Sequence, residues 1–580
     1  MAGTNISRRS FIGLGGVAGL GLATAGLAGC AASGDGQKQK TGEPSSWRTP
    51  TEPITDFAET LEADVVVVGT GAAGSMALTT AIEAGASVIA LQKESISVSH
   101  GLYNGGVDTI IQRAGGIEVD VPQWKTRWAQ NTGNWGSIPH LNLWVKHSGP
   151  IINRLFTMLV EEDAPYGPIV CYPDTPNDDY WNQISPTEHV LSNPTDEDEE
   201  HTAAYLETFG VRDIAEWLTQ RAIGLGADVR YSTPAVQLVR DDVANGTAGR
   251  VTGVVAKGPD GYIKCNAKKA VILCAGGYSN DEEMKREFLP HVAELNSGYT
   301  TQGNVGDAHK MGTWIGAQMR RAPHTSNPHY DPAMGVPDFP GSAYPWLRVN
   351  LNGERFSNED MPYEMIYAQD MSIPENTHFQ IFDDDYKTTA ETQMGYSLFR
   401  FSWTFIPGVE EGVEQGTVYK ADTIEELAQT IGVPADSLAK TVQRYNELAA
   451  NGCDDDFGKQ AARLLPIAKA PFYAIKRRPA ILDSMSGLMT NIDLQVLDTD
   501  GQAIEGLYAA GNCQSPFFGG FVQPMNICGM GTGRAFTTGH VAALRACGIE
   551  DQLWPTTDEL IEQHPEYLEI AKEMESAALH

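Results

Sequence analysis

Apolar residues gather along this chain in short runs separated by glycine-rich turns and helical stretches. The sharpest run lies in Ala63 to Lys93, ADVVVVGTGAAGSMALTTAIEAGASVIALQK. Val65 to Val68 lack the polar alternation of a half-exposed strand and predict one buried on both faces. Small and apolar residues from Ser75 to Ala84 predict a helix, and Ser87–Leu91 a second buried strand. Strand, turn, helix and strand in that order predict a parallel, doubly wound α/β sheet. The run Lys269–Cys274 adds a further buried strand, and the apolar positions after Gly533 a further helix.

Glycines occupy the turn of that first unit. Gly69, Gly71 and Gly74 give G-x-G-x-x-G between strand and helix, with Ala72 and Ala73 inside the motif. The first glycine permits a tight turn, the second lets backbone meet a pyrophosphate, and the third lets helix and strand pack closely. A Rossmann-like dinucleotide-binding fold is the expectation, with phosphates on free N–H groups at the helix N-terminus. Gln92, followed by Lys93, stands where an acidic residue ordinarily binds the adenosine ribose, and its amide can still bond a hydroxyl.

Charge narrows the partners. With 41 basic against 74 acidic side chains the net charge is −33, which argues against nucleic acid and anionic lipid. Eight cysteines in 580 residues are no disulfide framework, and no C-x-x-C, haem or iron–sulfur spacing occurs. No metal site is expected. Near the start, Ser7-Arg8-Arg9-Ser10-Phe11-Ile12 reads as a twin-arginine export signal, with Gly13 to Ala28 as its apolar core. Leu27-Ala28-Gly29-Cys30 resembles a lipobox, leaving two alternatives: Cys30 carries a lipid anchor, or the leader is cut and the protein released. Residues 31–56 read as a flexible linker. The expected location is extracytoplasmic, as a periplasmic protein or a cell-surface lipoprotein.

Further motifs recur in order: Asn104-Gly105-Gly106, GLGADVRYSTPAVQL ending at Leu238, Ala275-Gly276-Gly277-Tyr278, Gly306-Asp307, Gly506-Leu507-Tyr508-Ala509-Ala510-Gly511-Asn512 and Gly529-Met530-Gly531-Thr532-Gly533. Together they resemble the flavoprotein superfamily of soluble fumarate reductases, flavocytochromes c, urocanate reductases and 3-ketosteroid dehydrogenases. The resemblance implies FAD as cofactor and a Rossmann-like FAD-binding domain at 57–285 and 476–548. It places an α+β capping domain at 286–475 and leaves a helical tail at 549–580. It also implies that Gly105 and Gly106 lie under the flavin and Ala235 at the adenine. Ala275, Gly276, Asp307, Gly511, Asn512, Gly529, Gly531 and Thr532 would complete the cofactor site. Val349-Asn350-Leu351-Asn352-Gly353-Glu354-Arg355-Phe356-Ser357-Asn358-Glu359 and Ala470-Pro471-Phe472-Tyr473 match cap motifs of the same superfamily.

The substrate pocket departs from the fumarate reductases. Where they place a proton-donating arginine after the cap glutamate, this chain has Tyr363, as ketosteroid dehydrogenases do after a similar Asn-Glu-x-x-Pro stretch. Their histidine before a Met-Gly-Gly turn corresponds to Asp483, and their C-terminal-loop arginine falls near Gln523 to Ile527, with Met525 at its centre. Both cationic carboxylate clamps are missing, and each charge-assisted hydrogen bond so lost is worth about 1.5–3 kcal/mol. The substrate expected is a small unsaturated molecule, an enone or non-dicarboxylate enoate. Met525, Phe517, Phe518, Phe521, Tyr344 and Trp346 are candidates for an apolar wall or for plain core.

The resemblance implies hydride delivery from flavin N5 to the C=C bond. Tyr363, protonated at neutral pH, is the candidate proton donor, and the amides around Gly529 are candidate donors to a developing enolate oxygen. His329 falls near a substrate histidine of the superfamily. Arg355 either supports the proton route or holds the cap hairpin, and Asp483 either orients a polar substrate group or caps a turn. With no second nucleotide site and no haem motif, electrons are expected from a separate redox partner such as a membrane or multihaem cytochrome, in anaerobic respiration. The alternatives are a ketosteroid-type dehydrogenase, a fumarate or urocanate reductase, and a non-catalytic flavin relay or ligand-binding lipoprotein. Pro165–His201, with Tyr172, Tyr180 and Trp181, lines a pocket entrance, docks a partner or is a surface excursion.

Overall fold

Val65, Val66 and Val67 have no solvent exposure, as a strand of unbroken valines requires when both faces are covered. In the computed structural model, residues 46–99, 101, 104–162, 169–171, 187–191, 211–297, 302–330, 344–361, 363–393, 402–524 and 529–578 are described. The central strand Glu59–Val68 pairs in parallel with Val88–Leu91 on one side and Tyr262–Leu273 on the other. Asp228–Arg230 and Ala503–Ala509 extend the parallel sheet at its two edges. The first half of Tyr262–Leu273 also pairs antiparallel with Val251–Lys257, which in turn pairs with Ala235–Arg240.

Alternation along the valine strand sorts its two faces. Val65 and Val67 pack under the helices Ala72–Glu83 and Met530–Ala546, whereas Val66 and Val68 share a core with Leu238, Met311 and Ile315. Residues more than four hundred apart in sequence therefore close one core. The helix expected from Ser75 begins earlier, at Ala72, because Gly71 is its N-cap.

A separate four-stranded antiparallel sheet lies between the two stretches of the nucleotide-binding fold. Its order is Leu347–Asn350, His378–Asp383, Phe472–Arg477 and Val418–Ala421. Leu427, Leu438, Val442 and Tyr445 of two covering helices build its core. Two antiparallel strands, Ser326–Tyr330 and Pro479–Ser484, bring the chain into and out of this layer.

The linker expectation fails from Ser46 onward. Trp47 is buried, meets the Phe288 ring edge-on at 5.7 Å and accepts a hydrogen bond at its carbonyl from Trp314. An indole of that size gains more from burial than a tether would leave it. The leader, Cys30 and the aromatic residues Tyr172, Tyr180 and Trp181 lie outside the described residues. At the other end, Trp554, Leu560 and Ala571 dock the last two helices onto the helix Ile138–Glu161. No described helix is long and apolar enough to cross a membrane.

Candidate active site

A cavity of about 470 Å³ opens where the parallel strands end, at the point where the fold changes direction. At one end the helix Ala72–Glu83 presents its first turn, with Ala72 and Ala73 on the wall; its N-cap Gly71 has no side chain to cap it, and Ser99 Oγ accepts from the Ala72 amide at 3.3 Å. The remaining N–H groups of that turn suit an anion. Gly69 takes φ +92°, and a Cβ there would stand 2.6 Å from the Cys274 carbonyl oxygen. Gly71 also lines the cavity. Gly74 does not: it faces Gly69, whose carbonyl oxygen a Cβ at position 74 would overlap, so its role is helix–strand packing.

Gln92 is held from within the protein. That side chain lines the cavity, but its Nε2 donates to Thr70 Oγ1 at 3.0 Å and its Oε1 accepts from the Glu94 amide at 3.2 Å. One N–H and one lone pair of that amide are left over for a hydroxyl. Glu94, two residues on, stands on the same wall. Lys93 bonds the Gly303 carbonyl and pairs with Asp307 at 2.6 Å, joining two loops of the wall, and Ala235 closes it.

At the other end a second helix, Met530–Ala546, points its N-terminus into the cavity, again without a side-chain cap. Gly531 and Thr532 line the wall here, as do Ala275, Gly276, Gly511 and Asn512. Gly529 adopts φ +71° because the strand Asn104–Gly105 crosses it closely: Gly105 N donates to Gly529 O at 2.8 Å, and a Cβ on Gly529 would lie 2.5 Å from that nitrogen. Gly105 therefore buttresses the helix end, Gly106 packs on Ile152 and Thr109, and neither is on the cavity wall. Two helix N-termini on one cavity, among glycine backbone that a Cβ would crowd, suit the pyrophosphate and ring of FAD.

Beyond them lies the reactive end, formed by Asn327, His329, Leu482, Asp483, Met485 and Gln523. Asp483 is buried and accepts from Ser279 Oγ at 3.1 Å, Ser484 N at 2.8 Å, Asn304 Nδ2 at 3.0 Å and Asn512 Nδ2 at 2.6 Å. Burial pushes its pKa up to about 6, against the pull of those donors and of Arg534. Arg534, fully buried, donates to Gly511 O at 2.9 Å and to Asn512 Oδ1. Desolvation lowers its pKa to about 10, and Asp483 opposes the fall. His329 is pushed down to about 3 by burial alone and is a neutral imidazole at physiological pH. Asn327, Asn304, Arg534 and Gln523 were not singled out as site residues, because only the register Asn327↔Asp483 and the loop returning from Phe521 bring them here.

Arg355 is not at this site. Its guanidinium bonds both oxygens of Glu359 at 2.8 Å and both of Asp454 at 3.0 and 2.8 Å, with Lys459 3.5 Å from Glu359, so it holds the cap hairpin. Tyr363 opens the helix Tyr363–Asp370, which lies against the His329 strand; its side chain falls outside the described residues, as does Met525. The aromatic wall is also corrected. Tyr344 and Trp346 stack in the cap core, Phe517 and Phe518 are buried beneath Trp128 and Arg534, and Phe521 is exposed. Met485 and Leu482 supply the apolar lining instead.

Known proteins bear on this geometry. The FAD binding domain family matches residues 64–526. A vinyl phenol reductase of Lactiplantibacillus plantarum is 26% identical over 84% of this chain and 97% of its own. A urocanate reductase of Eggerthella lenta is 27% identical over 80% of this chain and 72% of its own. The crystal structure of a 3-ketosteroid-delta4-(5alpha)-dehydrogenase from Rhodococcus jostii RHA1 superposes with a TM-score of 0.61 at 24% identity, covering 85% of this chain and 98% of the other, and shares its fold. These matches replace the flavin-relay alternative with an enzyme. The chain belongs to the FAD binding domain family, among the FAD-dependent oxidoreductases acting on CH–CH groups in the superfamily of fumarate reductases, urocanate reductases and 3-ketosteroid dehydrogenases.

Proposed function

We propose that this chain reduces the C=C bond of an uncharged conjugated organic acceptor, an enone, styrene-like or non-dicarboxylate enoate compound. The observation that carries the reading is the reactive end itself. Its described lining holds two amides, a neutral imidazole, two apolar side chains and one carboxylate, with no arginine or lysine. A substrate carboxylate there meets Asp483 instead of a cationic partner. The similarity to a vinyl phenol reductase, whose name describes an uncharged aromatic alkene as substrate, supports the same class.

Bound FAD supplies hydride chemistry. What the chain's own residues contribute is position and a proton. Backbone N–H groups of the first turns after Gly71 and Gly529 would hold the cofactor, and those after Gly529 stabilise negative charge developing on the substrate. Tyr363 delivers the proton that completes the two-electron, two-proton reduction; a phenol near its reference pKa of about 10 is protonated at neutral pH. Asp483, with all its acceptor sites bonded, fixes Asn304 and Asn512 against the wall.

The test uses holoenzyme, photoreduced without oxygen and mixed with 4-vinylphenol, cinnamate, urocanate, fumarate and cyclohexenone. Return of oxidised-flavin absorbance with the uncharged acceptors, at least tenfold faster than with fumarate, is expected; preference for fumarate overturns the pocket reading. The ketosteroid-dehydrogenase reading, favoured by the residues around Tyr363, predicts bleaching of oxidised enzyme by a saturated 3-ketosteroid. We further propose that the chain is exported through Arg8 and Arg9, with Cys30 as its lipid-anchor site, and draws electrons from a separate haem protein. Cell fractionation of an Arg8→Lys, Arg9→Lys variant tests the first part, since the precursor should then stay in the cytoplasm.

A further inference from the structure

Loop 303–307 forms part of the cavity wall and is held at both ends. Gly303, Asn304 and Asp307 line the cavity together with Lys93 and Glu94. At one end Lys93 Nζ donates to the Gly303 carbonyl oxygen and to Asp307 Oδ2, the second at 2.6 Å. A Cβ at Gly303 would come within 2.6 Å of Lys93 Cε and 2.7 Å of Glu94 Oε1, so the bare glycine lets both side chains lie on the loop. At the other end Asn304 Nδ2 donates to Asp483 Oδ2 at 3.0 Å. Between them Gly306 N donates to Gly277 O at 3.1 Å.

The two ends differ in what it costs to open them. Asn304 and Asp483 meet in the interior, and parting them strips a donor from a buried carboxylate. The side chains of Lys93 and Asp307 are 25% and 30% exposed, and parting them returns both charges to water. The loop is therefore hinged at Asp483 and fastened at Lys93. We propose that Lys93 is a clasp that keeps loop 303–307 closed on bound FAD, so that breaking its bonds to Gly303 and Asp307 is the step that frees the cofactor. Lys93 spends two of its three N–H donors on the loop, and Asp307 balances its charge, so it acts through the wall as a positioning residue and not as a phosphate ligand. Retention of this kind is independent of which alkene is reduced.

Release of FAD from oxidised holoenzyme is timed by the rise of flavin fluorescence on dilution. Lys93→Met is expected to release FAD about fivefold faster, the scale of a partly exposed ion pair, whereas Lys93→Arg, which keeps the charge and the donors, stays near the parent. Raising salt from about 0.01 M to 1 M, which shortens the Debye length from about 30 to about 3 Å, should quicken release from the parent more than from Lys93→Met. Should Lys93→Met purify without flavin, FAD is added back before the same measurement. The reversed pair, Lys93→Glu with Asp307→Lys, should restore part of the slow release lost in Lys93→Glu alone. Unchanged release in Lys93→Met overturns the clasp. Fast release that neither Lys93→Arg nor the reversed pair slows also overturns it, and assigns Lys93 to direct contact with FAD.

Discussion

Asn512 donates from Nδ2 to Asp483 at 2.6 Å and accepts at Oδ1 from Arg534, so a single amide joins a buried carboxylate to a buried guanidinium at the cavity wall. The two charges offset each other without direct contact. Their burial still leaves Asp483 with a raised pKa, and the protein's response to pH follows from that.

Asp483 takes a proton as pH falls through about 6. Its repulsion of a substrate carboxylate is lost in the same window. Cinnamate binding to holoenzyme should tighten several-fold between pH 7.5 and 5.5, while 4-vinylphenol binding stays flat; parallel titrations of flavin absorbance check this. Stability has the opposite dependence to that of a salt-bridged carboxylate. Because the folded pKa lies above the ordinary 3.8, the folded state holds the extra proton between about 4 and 6, and stability falls as pH rises across that range. Asp483→Asn should remove this slope in thermal melts.

Backbone contact limits what the glycines can become. An alanine at Gly74 collides with the Gly69 carbonyl, and one at Gly529 with Gly105 in a left-handed conformation that costs about 1–2 kcal/mol by itself. Both variants are expected to lose most of their flavin, read as the ratio of flavin to protein absorbance. Gly548→Ala, whose Cβ meets nothing within 4 Å, is the control for the left-handed strain alone.

Arg355 neutralises two buried carboxylates, Glu359 and Asp454. Arg355→Ala leaves Asp454 without its cation and Glu359 with Lys459 alone, and a loss of about 3–5 kcal/mol is expected. The measurement is denaturant unfolding of the holoenzyme. A role in proton delivery would instead give a stable protein with a low turnover rate.

Tyr363→Phe should keep flavin and fold while turnover drops by about 10²–10⁴, the range for loss of a general acid. Single-turnover reoxidation of photoreduced enzyme by 4-vinylphenol is the readout. Unchanged rates would assign the proton to another group.

Much of the nucleotide half was legible because its rules are local. Four valines dictate a doubly buried strand, Gly69 and Gly71 dictate a turn that backbone and phosphate can share, and each lies within a few residues of its consequence. Local rules also misled. The polar run to residue 56 reads as a linker, yet Trp47 is buried against Phe288 and its carbonyl accepts from Trp314, contacts that no linear spacing announces.

The sequence alone settled the α/β class and the dinucleotide turn, since periodicity and glycine placement are properties of the chain itself. Tertiary structure alone decided that Arg355 serves the cap, that Glu94 joins Gln92 on the cavity wall, and that Asn327, Asp483 and Gln523 line one cavity with Arg534 bonded to its wall through Gly511 and Asn512. Those residues are far apart in sequence, and only the closing of the sheet on its last helix fixes their distances. Hydrogen bonding and desolvation depend on such distances, so the chemistry of the reactive end became readable once the chain was folded.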